Sequence, residues 1–510
     1  MANNTISIPK GHLIMGLCLP LAVLLGYFLA EPMDSGSVAV VIFVLGVLGI
    51  PLMMRWHYPM LVVSWNAAIN PIVLPGRADL WILLAGISLL FAMISRAVNP
   101  DFRFVMVPAI NKPLIALVGV VLVTAFLTGG IGLRSMGSST YGGKKYFYIL
   151  AAVVGYFALT SRRIPLNRAG VYAALFFLSG ATAVVGNIAF AAGPKFSFLM
   201  DIFSPDTASD QVAASMSLDR PLVRISGLSW VAPAVYSFLL ARYGIRGVLD
   251  LSRPWRLLFL ATTLFAGLFG GYRSALVMFG LTFAVLFLVE GLHRTKYLAL
   301  LAGLSLLGAV VCLPMVHKLP LAAQRTLAFL PIKVDPVAKL SAEASSEWRI
   351  EMWRVVLPQV PEYLFGGKGY SLDAGDVYMA QQSAARKIVS DSSGAALTMD
   401  FHNGPLSVLI PFGIYGAIGF TWFLIAALRV LYRNFKYGAP ELRNINALLL
   451  ATFAARVVMF FFVFGSLYSD MALFLGWLGF GVALNGPDPS QKVASSEAAE
   501  LEFQPEYSEA

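Results

Sequence analysis

Long apolar runs recur along the whole chain, and they constrain its fold more than any other feature of the sequence. A helix needs about 20 apolar residues to cross the ~30 Å hydrocarbon core of a bilayer. Only 13% of the 510 residues are charged, whereas 58% are hydrophobic. Because a backbone in lipid must satisfy its own hydrogen bonds, such runs fold as helices. The sequence therefore predicts an all-α, polytopic transmembrane bundle of about 12–14 spans.

The apolar runs also give the expected organisation of the chain. The predicted spans centre on residues 12–30, 37–54, 58–75, 79–96, 114–129, 146–160, 169–191, 226–242, 256–271, 274–292, 297–315, 403–428, 446–465 and 470–484. No small-residue cleavage site follows the first run, so we expect it to be retained. The predicted domains are N-terminal helices (1–222), central helices (223–316), a partly helical cap loop (317–401), C-terminal helices (402–485) and a disordered tail (486–510).

Basic residues indicate the orientation of the spans. They cluster in short alternate loops, near residues 96–112, 162–168, 242–256, 294–296 and 429–443. The positive-inside rule places these loops in the cytoplasm, and both termini with them. The net charge of +10 then follows from membrane orientation, so we expect no nucleic-acid partner. The cap loop 317–401 carries nine basic and nine acidic residues, a balance that does not oppose translocation.

Cysteine and histidine are sparse. Cys18 and Cys312 both lie in apolar runs, so neither a disulfide nor thiol chemistry is expected. The five histidines are scattered and no Cys/His cluster accompanies them, so we expect no metal site. The sequence also contains no glycine-rich phosphate loop, and we expect no cofactor.

One apolar stretch is too long for a single span. From Leu257 to Val289 the only charged residue is Arg273, and one helix of that length would reach about 50 Å. Basic residues flank both ends, so the stretch is predicted to be a hairpin with its tip at Gly270–Ser274 on the outer side. Arg273 at that edge either binds an anionic ligand or extends to lipid phosphates.

The cap loop contains a predicted amphipathic helix at Glu347–Leu357. Its apolar residues recur at helical spacing, which is typical of a helix at a membrane surface. Arg349 and Arg354 project from other faces, and we expect Arg354 to be solvated. Pro358 and Pro361 end the helix, and a glycine-rich turn follows at residues 365–370.

The most informative stretch begins where the cap loop meets a nearly uncharged span. Asn403 is positioned to cap that helix, and Pro405 suits its first turn. Glycines recur every third residue, at Gly413, Gly416 and Gly419, and predict a smooth face for a neighbouring helix. Beside this boundary stands His402, whose ordinary pKa suits a general base. A histidine held at the interface by hydrogen bonds is the alternative interpretation.

Three cationic side chains thus map to the outer side of the membrane from separate segments. They are Arg273 at the hairpin tip, Arg349 in the cap and His402 at the cap boundary. The planar guanidinium fork binds phosphate oxygens in pairs, and such cations stabilise charge that develops on a diphosphate leaving group.

These elements resemble the signature of the O-antigen ligase and polymerase superfamily. The most specific element is His402-Asn403, nine residues, then Gly-x-x-Gly. Tyr272-Arg273-Ser274 is similar to the family's Ser-Arg-Gly-like element, with tyrosine in place of the usual small residue. Arg349 and Trp353 resemble the family's Arg-x-x-x-Trp pattern, and Arg224 with Gly227 resembles its Arg-x-x-Gly element. The resemblance covers about residues 223–480.

The resemblance implies an inverting, metal-independent glycosyl transfer at the periplasmic face of a bacterial inner membrane. The donor would be a glycan linked to undecaprenyl diphosphate, and the acceptor a lipid A-core or another polysaccharide. Arg273 and Arg349 would bind the diphosphate, with Arg224 as a further candidate. His402 would activate the acceptor hydroxyl.

Several functions remain open from the sequence. The leading prediction is an O-antigen ligase, because the His-Asn motif fits that branch. A repeat-unit polymerase or a protein O-glycosyltransferase would use the same residues with another acceptor. A transporter of lipid-linked glycans also needs cations facing a cavity, although no internal repeat favours it. A purely structural scaffold would leave His402 without a role.

Overall fold

Helices account for nearly all of the regular structure in the described part of the chain, so the predicted all-α fold is confirmed. The computed structural model describes residues 10–29, 35–71, 74, 77–99, 102–132, 140–203, 224–373, 375, 378 and 399–487. Residues 488–510 of the tail predicted to be disordered lie outside these ranges, as do 204–223 and most of 374–398.

The α-helices and strands follow one another in a simple order. The helices are α1 (Lys10–Leu29), α2 (Ser35–Ser64), α3 (Leu80–Val98), α4 (Pro108–Thr128), α5 (Gly143–Leu159), α6 (Ala169–Leu178), α7 (Val185–Ala192), α8 (Ser197–Ile202), α9 (Leu228–Val248), α10 (Trp255–Leu268), α11 (Arg273–Val289), α12 (Lys296–Cys312), α13 (Leu321–Leu327), α14 (Pro336–Val356), α15 (Val360–Tyr363), α16 (Gly404–Tyr437), α17 (Arg443–Phe462) and α18 (Leu467–Asn485). Two short antiparallel strands, β1 (Thr140–Tyr141) and β2 (Leu372–Asp373), join the α4–α5 loop to the cap.

Many of these helices have the length and composition of membrane spans. Within the described residues, seven apolar segments meet both criteria: Leu80–Val98, Pro108–Thr128, Leu166–Ala192, Lys296–Lys318, Gly404–Tyr437, Pro440–Phe462 and Leu467–Asn485. Two shorter apolar helices, α10 and α11, accompany them. The protein is therefore a multi-pass membrane protein.

The chain divides into two compact units, Met1–Met60 and Leu61–Ala510. In the first unit, α1 is apolar and exposes side chains such as Met15 and Leu19. The prediction of separate spans at 37–54 and 58–75 was wrong, because α2 is one helix that ends at Ser64.

Polar contacts explain why no span follows α2 at once. Asn66 Nδ2 donates to the Phe176 carbonyl at 2.7 Å, and Asn70 Nδ2 donates to Asp79 Oδ1 at 2.7 Å. Asn66 thus bonds to α6 and Asn70 to the residue that precedes α3, and the described residues 65–71 and 77–79 are mostly irregular.

The predicted hairpin is confirmed. Helix α10 ends at Leu268, α11 begins at Arg273, and Gly271 between them has φ 76°, a left-handed conformation that favours glycine. The tip also pairs with the chain before α9, because Ile225 N donates to the Phe269 carbonyl at 3.1 Å.

The C-terminal helices form the centre of the second unit. Rings of Phe420, Phe453, Phe460 and Phe474 pack against one another with centroids 4.9–6.2 Å apart. Such aromatic packing buries large side chains between helices and fixes their mutual positions. Helix α16 also packs along α4, and α18 along α5, so these helices form a rigid base for the loops at their ends.

Buried polar groups hold α16, α17 and α18 together as well. Asn446 Nδ2 donates to Asn485 Oδ1 at 2.9 Å and to the Asn434 carbonyl at 2.8 Å. Closer to the other end, Arg456 Nε donates to Asp470 Oδ1 at 3.1 Å. Paired polar groups of this kind specify one arrangement of helices in an apolar environment.

Candidate functional site

The candidate site lies at one end of the helix bundle, which we call the cap end. It is formed by residues 224–228, 269–273, 321–373 and 399–404. Helix α13 packs against α10, α11 and α14, and Thr326 Oγ1 donates to the Leu268 carbonyl at 2.9 Å. The cap is therefore seated directly on the hairpin tip.

His402 occupies an unusual backbone position at this end. Its φ is 49°, a left-handed conformation that is uncommon for residues other than glycine. Trp353 Nε1 donates to the Phe401 carbonyl at 2.8 Å, and the Phe401 side chain is 2% exposed. Asn403 caps α16 by accepting a hydrogen bond from Leu406 N at 3.1 Å, as predicted. The segment on either side of His402 is thus held firmly, and strain of this kind is common at functional sites.

The imidazole of His402 lies between two aromatic rings. It stacks on Phe464 at 5.1 Å and packs against Trp348 at 5.3 Å. Its side chain is 26% exposed, and its Nδ1 atom is buried 3.9 Å from Asp400 Oδ1, too far for a hydrogen bond. The imidazole is therefore oriented by packing and remains partly exposed.

Burial lowers the pKa of His402 below its usual range. The carboxylate of Asp400 opposes this shift, and the cations Arg349 and Lys145 add to it. The neutral imidazole is therefore favoured near pH 7, and that is the form able to accept a proton.

Arg349 projects from α14 toward the same place. Its guanidinium lies over the Phe464 ring at 5.7 Å, so Arg349 and His402 share that ring. Burial, with the nearby charge of Arg273, lowers the pKa of Arg349, yet an arginine remains charged at neutral pH. The Nε atom of Arg349 is buried and has no hydrogen-bond partner among the described residues. It is therefore a donor available to a ligand.

Arg273 is the first residue of α11 and joins the hairpin tip to the cap. Its Nη2 atom donates to the Ala342 carbonyl at 2.9 Å and to Ser346 Oγ at 3.1 Å. Both contacts use Nη2, and this guanidinium donates no other hydrogen bond to the described residues, so the rest of its fork is available to an anion. The sequence-based placement of Arg273, Arg349 and His402 in one region therefore agrees with the geometry.

Arg325 is a further cation that sequence reasoning missed. It is 7% exposed in α13, its Nε donates to Ser341 Oγ at 3.0 Å, and its Nη1 donates to the Gly271 carbonyl. Burial, followed by the charges of Arg224 and Arg273, lowers the pKa of Arg325 to about 10. The sequence around Arg325 contains no motif, and its location in the cap loop is the only signal that could have indicated a role.

Arg224 reaches the cluster from the segment before α9. Its aliphatic stem lies on Gly271, where a Cβ atom would stand 2.8 Å from Cδ of Arg224. The tip glycine thus makes room for this arginine. A connected set of positive charges is formed by Arg224, Arg273, Arg325 and Arg349. The carboxylate of Asp400 lies close to His402, beside this set.

The glycine spacing after His402 has another role than predicted. Gly413 has φ 60° and ψ −159°, so it breaks α16 and does not form a smooth face with Gly416 and Gly419. A Cβ on Gly416 would meet the side chain of Phe412, within the same helix. Gly413 faces the end of α15, whereas Gly419 faces α4, with Leu117 atoms 3.6 Å from its Cβ position.

The break in α16 receives the glycine turn of the cap. Lys368 N donates to the Ile410 carbonyl at 2.8 Å, Gly369 N to Pro411 at 2.9 Å, and Ile414 N to Leu364 at 2.7 Å. Gly367 and Gly369 have φ of 70° and 66°, and a side chain on either would collide with its neighbours. These bonds connect the cap to the helix that carries His402.

The arrangement suits a substrate with several negative charges beside a reacting group. Four guanidiniums concentrate positive potential at the cap end, and the imidazole stands at one side of them. No protein-family model matches this chain, and no curated protein matches it significantly. The resemblance to the O-antigen ligase superfamily therefore stays a prediction from the motifs.

Proposed function

We propose that this protein is a membrane glycosyltransferase of the O-antigen ligase type. It would move a glycan from undecaprenyl diphosphate to an acceptor hydroxyl on lipid A-core or another polysaccharide. The observation that carries the proposal is the meeting of Arg273, Arg349 and His402, from three distant segments, at one end of the bundle.

Each side chain has a role in the proposed transfer. The acceptor oxygen attacks the anomeric carbon, the bond from that carbon to the diphosphate oxygen breaks, and undecaprenyl diphosphate leaves. His402 takes the proton of the acceptor hydroxyl, for which its lowered pKa keeps it neutral. Arg273 and Arg349 bind the diphosphate and stabilise its growing charge, and Arg224 is a further candidate for binding it.

The orientation follows the same proposal. The cap end would face the periplasm of a bacterial inner membrane, since the basic loops lie at the opposite ends of the helices. The lipid of the donor would remain in the bilayer, while its diphosphate reaches the arginines at the membrane edge.

Reconstitution with a defined donor tests the proposal. The purified protein is placed in liposomes with an undecaprenyl-diphosphate-linked repeat unit, with and without lipid A-core, and the products are sized. We expect transfer by the wild type and none by His402→Ala, since removing the proton acceptor typically costs 10²–10⁴-fold in rate. Arg354→Ala is the matched control, because Arg354 is exposed on α14 outside the cluster.

The acceptor requirement separates the alternatives. A product that forms only with lipid A-core or an added polysaccharide supports a ligase. Longer lipid-linked chains without an acceptor would identify a repeat-unit polymerase of the same superfamily. Movement of intact lipid-linked glycan across the bilayer without a new glycosidic bond would refute the proposal in favour of transport.

A further inference from the structure

A second polar constellation lies away from the cap end, in a cavity of about 800 Å³. Helices α6 and α9 and the chain at the start of α17 form its walls. A cavity of this size is typical of a small-molecule site. The cap-end arginines do not line it, so it is separate from the proposed transferase site.

The walls of the cavity are polar at one end and apolar over the rest. Asn167, Arg242, Glu441 and Asn444 lie where α6 begins and α9 ends, and Gly170 brings α6 close to the Arg242 guanidinium. From there the wall continues along α6 to Leu178, and the 10 residues of this helix rise by roughly 15 Å. That length is about half of the ~30 Å hydrocarbon core, the depth of one leaflet.

The two charged residues at the polar end lack partners in the described structure. Neither Arg242 nor Glu441 forms an ion pair or a side-chain hydrogen bond with any described residue, and both are exposed. Apolar side chains at the rim are exposed too, with Val171 at 59% and Leu166 at 44%. An open apolar cavity with opposite charges at its end is complementary to an amphiphile that carries both charges.

We infer that this cavity binds a membrane glycerophospholipid with an ethanolamine headgroup. Arg242 binds the phosphate, Glu441 binds the primary ammonium, and the wall from Ala174 to Leu178 holds part of an acyl chain. A lipid with a purely anionic headgroup would leave the Glu441 carboxylate facing negative charge. A choline headgroup has no N–H group to donate to that carboxylate.

Lipid binding to the purified protein tests this inference without use of any transferase activity. The full chain is stripped of lipid in detergent and titrated with phosphatidylethanolamine, phosphatidylglycerol or phosphatidylcholine, and bound lipid is counted by native mass spectrometry. We expect phosphatidylethanolamine to bind the wild type most tightly. Arg242→Ala should weaken it roughly tenfold, as expected for loss of a charged hydrogen bond.

Two further variants address the other walls. Glu441→Gln should remove the preference for ethanolamine over glycerol headgroups while phosphatidylglycerol still binds. Ala174→Phe should fill the cavity and reduce binding of all three lipids, with size-exclusion chromatography confirming that the protein remains folded. The matched control is Arg253→Ala, which removes the same charge from an exposed loop that does not line the cavity.

Three outcomes would overturn the inference. The first is equal affinity of the wild type for the ethanolamine and glycerol lipids. The second is an Arg253→Ala variant weakened as much as Arg242→Ala. The third is a folded Ala174→Phe variant that binds phosphatidylethanolamine like the wild type.

Discussion

Replacing Gly413 by alanine is the sharpest test of how the cap is joined to the helix that carries His402. With φ 60° and ψ −159°, Gly413 occupies a region that is essentially confined to glycine, and forcing another residue there costs on the order of 1–3 kcal/mol. The new Cβ would also stand 2.5 Å from the Leu364 carbonyl oxygen. That oxygen accepts the hydrogen bond from Ile414 N, whose loss adds about 1 kcal/mol.

These terms together predict a destabilisation of about 3 kcal/mol for Gly413→Ala. The matched control is Gly419→Ala, at a helical position where the nearest Leu117 atoms allow ordinary contact at 3.6 Å. Alanine favours the helix by ~1 kcal/mol over glycine, so the control should be neutral or stabilising.

The assay combines unfolding in mixed detergent micelles with hydrogen exchange of individual amides. Gly413→Ala should unfold at lower denaturant, and the amides of Lys368, Gly369 and Ile414 should lose protection before the rest of the protein. Equal stability of the two variants, or unchanged protection of these three amides, would refute the argument that Gly413 receives the glycine turn.

Two further predictions concern the charged cluster. Arg273→Lys should lower kcat/KM for transfer by roughly 10–100-fold, since a charged hydrogen bond contributes about 1.5–3 kcal/mol. The control Arg354→Lys should stay near wild type. Equal rates for both variants would favour the lipid-phosphate role of Arg273. Asp400→Asn removes the charge that raises the pKa of His402, so the acid limb of the pH–rate profile should move to lower pH; a limb that stays in place would separate His402 from proton transfer.

Much of the fold could be predicted because apolar length and charge determine where a helix crosses a bilayer. The length of the apolar stretch around Arg273, with basic residues at both of its ends, was enough to predict the hairpin. Asn403 and Pro405 predicted the start of α16 from local backbone chemistry alone. The exposed position of Arg354 also follows from the helical spacing of the cap.

Features that depend on distant contacts could not be predicted in this way. The role of Gly413 depends on the Leu364 carbonyl, which no spacing within α16 reveals. Arg325 belongs to the cluster because Gly271 and Ser341 accept its hydrogen bonds, and neither is near it in sequence. Helix α14 begins at Pro336, where Asp335 caps it, well before the predicted Glu347. The prediction missed its first turns because they lack a clear apolar periodicity.

The joint between the glycine turn and α16 restricts the residue type at some of its positions and leaves it open at another. Its hydrogen bonds run between backbone atoms, so it needs glycine at 367, 369 and 413 but no particular side chain at Lys368. The half-exposed ammonium of Lys368 lies 5.5 Å from the Tyr363 ring and takes no part in these bonds. A substitution at Lys368 can therefore change the charge at this position while the joint itself is preserved.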